Sequence, residues 1–289
     1  MSEIERDHIE EVWQHVVLAR HEQRPYALDY IDAMIEDFVE LHGDRRYGDD
    51  AAIIAGLGYL DGRPVAILGH QKGRTIAERQ RRNFAMARPE GYRKALRVME
   101  LAARIGRPIV TLVDTPGADC LADSESRGIS EAIAVNQQEM FTLAVPIVSV
   151  VIGEGGSGGA IGLGVGDRVL MMENSYYSVI APESCAAILW RDPTLKKEAA
   201  AALKLSPNDA LALGVVDGII PEPPGGAHTD HLEATQAVRE AVDRALDDLV
   251  GVPIDELMAK RYDKFRWMGS PAGTAEPWKV RLASMSPGQ

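Results

Sequence analysis

The stretch "IGEGGSGGAIGLGVGD", residues 152–167, holds eight glycines in sixteen residues and directly follows the apolar run "VPIVSVV". An apolar run that ends in glycines is typical of a buried strand leading into a tight turn. Glycine inside a regular element costs roughly 0.5–1 kcal/mol relative to alanine, so this density needs a reason. Three reasons are available: a phosphate cradle, a set of unshielded backbone N–H groups, or close packing of two backbones.

The known phosphate-binding loops fit this stretch poorly. Gly153, Gly155 and Gly158 satisfy G-x-G-x-x-G, and Glu173 lies where a dinucleotide-binding fold has its ribose-binding acid. However, the crossover helix that such a fold needs is interrupted by Gly162, Gly164 and Gly166. The stretch also has no G-K-[ST]. Two interpretations remain open: N–H groups at a positive helix end that suit a developing oxyanion, or tight packing of a short helix on its strand.

The segments around this stretch alternate between strand and helix patterns. Residues 109–114 and 147–152 read as buried strands separated by a helix over 129–143, and Asp61-Gly62 reads as the turn of a β-hairpin. Apolar residues at helical spacing between 31 and 41 predict a single helix that stops at Gly43. Continuous apolar strands alternating with helices predict an α/β architecture whose sheet is covered on both faces.

Composition narrows the class of protein. The 289 residues are 46% hydrophobic and 26% charged, with a net charge of −12 and two cysteines. This balance argues against nucleic-acid binding, and two cysteines cannot form a disulfide framework or a zinc ribbon. The sequence shows neither a signal peptide nor a membrane-length apolar run. We therefore predict a cytoplasmic protein with no metal site and no membrane association. The sequence shows no linker and no repeat of fixed period, so one main domain is expected, over residues 24–268. A helical segment is expected over 1–23 and a flexible tail over 269–289.

One segment is basic, although the net charge of the whole chain is negative. Residues 70–97 contain nine basic side chains and two acidic ones. The sequence leaves two interpretations open: a solvated helix face, or a site that attracts phosphates or an acidic partner protein. Within this segment, His70 is expected to be a hydrogen-bonded loop residue.

Seven segments, in order, are similar to the alpha subunits of bacterial acetyl-CoA carboxylase carboxyltransferase. The resemblance covers residues 24–268 and rests on "RPYALDYI", "LDGRPVAILGHQKGR", "RRNFAMARPEGYRKALRVMELA", "DTPGA", "VIGEGGSGGAIGLGVGDRVLM", "YSVIAPESCAAILW" and "PEPPGGAH". It implies a crotonase-like fold, in which repeated β-β-α units form a spiral with flanking helices.

The resemblance also implies an activity and partners. Carboxybiotin on a biotin carboxyl carrier protein would donate its carboxyl group to acetyl-CoA or a related acyl thioester, giving malonyl-CoA. A zinc-ribbon beta subunit would bind the acyl-CoA in an α2β2 assembly. The apolar segments "YYSVIAPESCAAILW" and "LALGVVDGII" are then expected to be buried between subunits.

The resemblance assigns site residues by motif. Gly158 and Gly159 would donate N–H groups to the biotin oxygen, and five more residues would shape the loops around biotin: Gly155, Gly156, Gly117, Ala118 and Asp119. Glu154 is expected to hydrogen-bond the backbone of the glycine loop.

One departure from the family pattern keeps other functions open. The family usually has Tyr-Pro-Gly after "DTPGA", whereas this chain has Asp119, Cys120 and Leu121. Two alternatives therefore remain: a self-sufficient malonyl-thioester decarboxylase or hydrolase, and a non-catalytic paralogue.

Overall fold

The computed structural model describes residues 3–269, and the predicted flexible tail beyond Gly269 lies outside them. The strands are β1 (Glu36–Glu40), β2 (Ile53–Leu60), β3 (Arg63–His70), β4 (Ile109–Thr115), β5 (Ile147–Gly156), β6 (Arg168–Met172), β7 (Tyr176–Ser178) and β8 (Gly218–Ile220). They form one mixed sheet in the order β1-β2-β3-β4-β5-β6-β8, and β7 pairs with β5. The β1–β2 and β2–β3 pairs are antiparallel, and the pairs from β3 onward are parallel.

Helices cover both faces of this sheet. They are α1 (Glu3–Ala19), α2 (Ala27–Met34), α3 (Ile76–Arg81), α4 (Pro89–Arg104), α5 (Ala122–Ser126), α6 (Ile129–Thr142), α7 (Ser157–Ile161), α8 (Pro182–Trp190), α9 (Lys196–Leu203), α10 (Pro207–Ala212), α11 (His231–Val250) and α12 (Ile254–Trp267). None of the helices within residues 3–269 is both long and apolar enough to cross a membrane.

The central strands are buried on both sides, as their continuous apolar sequences predict. Along β4, Ile109 and Val113 pack with α4 and α6, whereas Val110 and Leu112 pack with α2 and α11. The α/β architecture with a covered sheet is confirmed, because two separate hydrophobic clusters lie on opposite faces of the same strands.

The hairpin prediction is confirmed, but one helix prediction is wrong. β2 and β3 are joined by Asp61 and Gly62, which both have positive φ, as tight hairpin turns require. The predicted helix over residues 31–41 instead ends at Met34, because Ile35 is extended and β1 follows it. β1 pairs with β2, with Val39 opposite Leu57, so strand pairing overrides the local helical spacing.

Candidate functional site

The glycine-rich stretch lies at the carboxyl end of β5 in the middle of the sheet. β5 continues four residues further than predicted, to Gly156, and the five-residue helix α7 follows at once. Ser157 joins the two with a φ of 51°, which is uncommon for a residue other than glycine. The first N–H groups of a helix have no intrahelical partner. In α7 these include the N–H groups of Gly158 and Gly159.

A bulge in β5 sets the direction of this loop. Val113 of β4 lies opposite Val151, but the next pair is Thr115 with Gly155, so β5 has two extra residues between these pairs. From Glu154, the last residue of the bulge, β5 no longer pairs with β6 and instead pairs with β7, with Glu154 opposite Tyr176. Bulges bend a strand and increase its local twist, and they are frequent next to functional sites.

The glycine loop packs directly on the loop that follows β4. A Cβ atom at Gly159 would lie 2.5 Å from the carbonyl carbon of Gly117 and 2.6 Å from the nitrogen of Ala118. Gly156 is similarly close to Pro116. The structure therefore brings Gly117, Ala118 and Gly159 together, and it shows that part of the glycine run serves close backbone packing.

Gly158 differs from its neighbours because it has room on its side-chain side. A Cβ atom there would have Ile133 Cδ1 as its nearest neighbour, at 3.7 Å. By contrast, a Cβ atom at Gly155 would lie 2.8 Å from the carbonyl oxygen of Tyr176. Among the four predicted glycines of the glycine-rich stretch (Gly155, Gly156, Gly158 and Gly159), Gly158 is thus the one whose side-chain position is open.

Asp119 does not present a free carboxylate. It is 4% exposed, and its Oδ2 accepts a hydrogen bond from Ser124 Oγ at 2.7 Å and lies 3.5 Å from Arg88 Nε. Its backbone N–H donates to the carbonyl oxygen of Ala87 at 3.0 Å. Asp119 therefore fixes its own loop, while its neighbour Cys120 is exposed.

A buried charged cluster lies behind the glycine loop, and sequence reasoning missed most of it. Lys72 Nζ lies 2.7 Å from Asp114 Oδ1 and 3.1 Å from Glu154 Oε1. The other oxygen of Glu154 accepts from Arg20 Nε at 3.1 Å and from the Tyr176 hydroxyl at 2.7 Å. The expected contact between the Glu154 side chain and the loop backbone is absent from the hydrogen bonds of the described residues. Instead, its backbone N–H donates to Asp114 Oδ1 at 2.9 Å.

The two carboxyl groups of this cluster differ in their pKa. Burial raises the pKa of Asp114, although Lys72 opposes this effect, and the second oxygen of Asp114 has no hydrogen-bond partner among the described residues. Burial also opposes ionisation of Glu154, but Lys72, Arg20 and the Tyr176 hydroxyl outweigh it, so the pKa of Glu154 is lowered. The cluster thus holds Glu154 ionised beside the half-buried Lys72.

The sequence comparisons place the chain in a family. The profile described as "Acetyl co-enzyme A carboxylase carboxyltransferase-like" matches residues 5–269. The chain belongs to this family. A relative from Geobacter sulfurreducens, named acetyl-coenzyme A carboxylase carboxyl transferase subunit alpha, is 56% identical over 89% of this chain and 80% of its own length. A relative of the same name from Prochlorococcus marinus (strain AS9601) is 53% identical over 89% of this chain and 76% of its own length.

Solved structures confirm the crotonase-like fold of this carboxyltransferase-family chain. Transcarboxylase 12S, with methylmalonyl-coenzyme A and methylmalonic acid bound, matches with a TM-score of 0.65 and 19% identity over 83% of this chain and 44% of that chain. A Pseudomonas malonate decarboxylase hetero-tetramer in complex with coenzyme A matches with a TM-score of 0.65 and 19% identity, covering 89% of this chain and 97% of that chain.

The basic segment of this carboxyltransferase-family chain is mostly bound within the chain itself. Eight of its nine basic side chains lie within hydrogen-bond or ion-pair distance of described partners: Lys72, Arg74, Arg79, Arg82, Arg88, Arg93, Lys94 and Arg97. Arg82 is itself buried and donates to the carbonyl oxygen of Ala51 at 2.8 Å. This arrangement weakens the interpretation that the segment is a free cationic surface for phosphates.

His70 differs from its sequence prediction. It is the last residue of β3 and is fully buried, and neither of its ring nitrogens has a hydrogen-bond partner among the described residues. The expectation of a hydrogen-bonded loop residue is therefore wrong. Burial, with a smaller contribution from Lys72, lowers the pKa of His70 from its ordinary value of 6.5 to about 3.

We expect His70 to make the fold sensitive to mild acid. Because the folded chain resists protonation of His70 and the unfolded chain does not, its contribution to stability is intact above pH 6.5 and is lost as the pH falls towards 3. Between pH 7 and pH 5.5 the loss is about 1 kcal/mol. Denaturant unfolding at these two pH values measures how much the free energy of unfolding decreases between them. The decrease should be smaller in His70→Gln than in the wild type by this amount. The exposed His8→Gln variant should behave like wild type, and equal decreases in all three proteins would contradict the prediction.

Proposed function

We propose that this chain is the alpha subunit of an acetyl-CoA carboxylase carboxyltransferase, which moves a carboxyl group from carboxybiotin to acetyl-CoA and so forms malonyl-CoA. The observation that carries the proposal is the 53–56% identity to relatives of that name over 89% of the chain. The geometry supports it, because the predicted site residues from two strand ends lie against each other at the middle of the sheet.

The open side of Gly158 supports a ligand site beside the N–H groups of α7. The space beside Gly158, which a Cβ atom would enter, adjoins the first turn of α7 and its N–H groups. Biotin held at this place would supply the carboxyl group that is transferred. The N–H groups of Gly158 and Gly159 would donate hydrogen bonds to an oxygen on which negative charge develops, and each such donor is typically worth roughly 2.7–4 kcal/mol in the transition state.

The remaining predicted site residues support this role indirectly. Gly155 and Gly156 let the glycine loop pack against β7 and Pro116, and Gly117 and Ala118 form the facing wall. Asp119 holds that wall to the loop before α4 through Ala87. Because the Asp119 carboxylate is bound to Ser124 and Arg88, we infer that the departure from the family pattern keeps the loop in place and does not add a new acid or base.

An apolar face on and beside α8 supports a partner subunit. Val179, Ile188 and Leu189 are 78%, 70% and 67% exposed, and the neighbouring Trp190 is 43% exposed. Exposed apolar patches of this kind mark protein interfaces. We propose that the beta subunit of the carboxyltransferase covers this face and contributes the acyl-CoA site. The zinc ribbon of that subunit, the α2β2 stoichiometry, the biotin carboxyl carrier protein and the cytoplasmic location stay predictions.

The self-sufficient decarboxylase or hydrolase is the weaker candidate. Such an enzyme needs its own acid or base at the glycine loop. Within residues 3–269, the carboxylates closest in sequence to the two loops, Asp114, Asp119 and Glu154, are each held in internal hydrogen bonds or ion pairs. No group of three or more potential metal ligands occurs in this part of the chain.

The test is carboxyl transfer by the chain with and without its cognate beta subunit. We expect the co-expressed pair to carboxylate acetyl-CoA from a carboxybiotin donor, and we expect the isolated chain to be inactive. Malonyl-CoA decarboxylation or hydrolysis by the isolated chain would instead support the self-sufficient enzyme. Stable complex formation without any carboxyl transfer would support the non-catalytic paralogue.

A further inference from the structure

The bulge in β5 is held by side chains at both of its ends. On one side, Arg24 Nε donates to the carbonyl oxygen of Ile152 at 2.6 Å. On the other side, the N–H group of Glu154 donates to Asp114 Oδ1 at 2.9 Å. In a regular parallel ladder these backbone groups bond to the backbone of a neighbouring strand. Here the bulge removes that pairing, and buried side chains replace it.

Lys72 completes this support. Its Nζ donates to the same Asp114 oxygen at 2.7 Å and to Glu154 Oε1 at 3.1 Å, so one ammonium group joins the ends of β4 and β5. Lys72 itself follows β3 by two residues, so the contact ties three adjacent parallel strands together. Gly153 leaves room for this arrangement, since a Cβ atom there would lie 2.5 Å from Asp114 Oδ1.

The position of the cluster links it to the glycine amides. Glu154 lies four residues before Gly158, and the intervening backbone passes directly into α7. The orientation of an oxyanion donor matters greatly, because a misplacement of about 1 Å can cost 10²-fold in rate. A rotation of the bulge would change the direction of α7 and of the N–H groups in its first turn.

We infer that Lys72, Asp114 and Glu154 are positioning residues for carboxyl transfer, because they hold the β5 bulge and thereby orient the Gly158 and Gly159 amides. The inference rests on the proposed function. None of the three side chains needs to touch acetyl-CoA or biotin. Their loss is therefore expected to lower kcat and to leave the KM for acetyl-CoA nearly unchanged.

The chain offers a matched control at the opposite end of the same strand. Asp167 Oδ2 accepts the N–H group of Ile147, the first residue of β5, at 2.7 Å, and it also accepts from Arg261 Nη2 at 2.7 Å. Asp114 and Asp167 are both buried, and each joins a β5 backbone N–H group to a cation. Asp114 holds the end of β5 next to the glycine loop, whereas Asp167 holds the beginning of the strand.

The experiment compares Asp114→Leu with Asp167→Leu in the complex with the beta subunit, by melting temperature and by steady-state carboxyl transfer well below that temperature. We expect both variants to lose stability, and we expect only Asp114→Leu to lower kcat, by about 100-fold, with the KM for acetyl-CoA within about twofold of wild type. Asp114→Asn keeps the Oδ1 acceptor and should restore kcat to within about tenfold of wild type.

Each other outcome overturns the inference in a distinguishable way. Equal losses of kcat in Asp114→Leu and Asp167→Leu would assign Asp114 to general stability. An unchanged kcat in Asp114→Leu would show that the amides keep their direction without the cluster. If Asp114→Leu does not assemble, Glu154→Gln replaces it with an expected kcat loss of about tenfold, and an unchanged kcat there overturns the inference. A wild-type complex without carboxyl transfer overturns the proposed function itself.

Discussion

A Gly158→Val variant is expected to reduce carboxyl transfer by a factor of about 10²–10³ while the complex still assembles and melts close to the wild-type temperature. The structure leaves room for a Cβ atom at this position, because its nearest neighbour would be Ile133 Cδ1 at 3.7 Å. The valine methyl groups would occupy the space beside the amides of α7 and block the approach of a ligand oxygen. The measurement is carboxyl transfer together with thermal unfolding, both with the beta subunit present.

Gly159→Val is the informative comparison for this prediction. A Cβ atom there meets the backbone of Gly117 and Ala118, so the variant should lose both activity and stability. Loss of activity in Gly159→Val therefore does not separate an oxyanion role from a packing role. Loss of activity in Gly158→Val does separate them, because that variant is expected to keep its stability. A fully active and stable Gly158→Val complex would show that no reacting oxygen approaches this amide.

Arg24→Met is expected to lower the free energy of unfolding by about 3–5 kcal/mol, the typical cost of removing one partner from a buried ion pair. Arg24 and Glu222 have side chains with no solvent exposure, and Arg24 Nη1 donates to Glu222 Oε2 at 2.9 Å. Without Arg24, the Glu222 carboxylate keeps its bonds to Asn174 and Ala227 but loses its balancing charge. Thermal unfolding should show a decrease of about 10 °C.

A surface ion pair between an arginine and a carboxylate supplies the control for Arg24. Arg239 Nε donates to Asp61 Oδ2 at 2.9 Å, and the two side chains are 33% and 38% exposed. Arg239→Met should therefore change the stability by less than about 1 kcal/mol, since exposed pairs contribute little. Similar melting temperatures for Arg24→Met and Arg239→Met would contradict the view that burial makes the Arg24 pair important.

Local patterns in the sequence were sufficient where neighbours along the chain determine the structure. The Asp61-Gly62 turn and the apolar strands on both sides of α6 were predictable, because turn geometry and continuous burial leave a signal within a few residues. The resemblance of seven ordered motifs led to the crotonase-like fold and to the carboxyltransferase family. The helix prediction failed for the segment after Met34, because its partner strand β2 is distant in sequence and imposes an extended backbone on a helical pattern.

The sequence by itself determined that a glycine-rich turn ends a buried strand and that its backbone N–H groups are the candidate chemistry. Only the tertiary structure decided which of the two predicted donor glycines has an open side, because the loop after β4 packs on Gly159 and leaves Gly158 free. The tertiary structure also forms the charged cluster next to the loop. In this cluster, Lys72 Nζ lies 3.1 Å from Glu154 Oε1, although the two residues are 82 positions apart along the chain. The physical reason is strand register: parallel pairing places the ends of β3, β4 and β5 together, and no local sequence pattern encodes that contact.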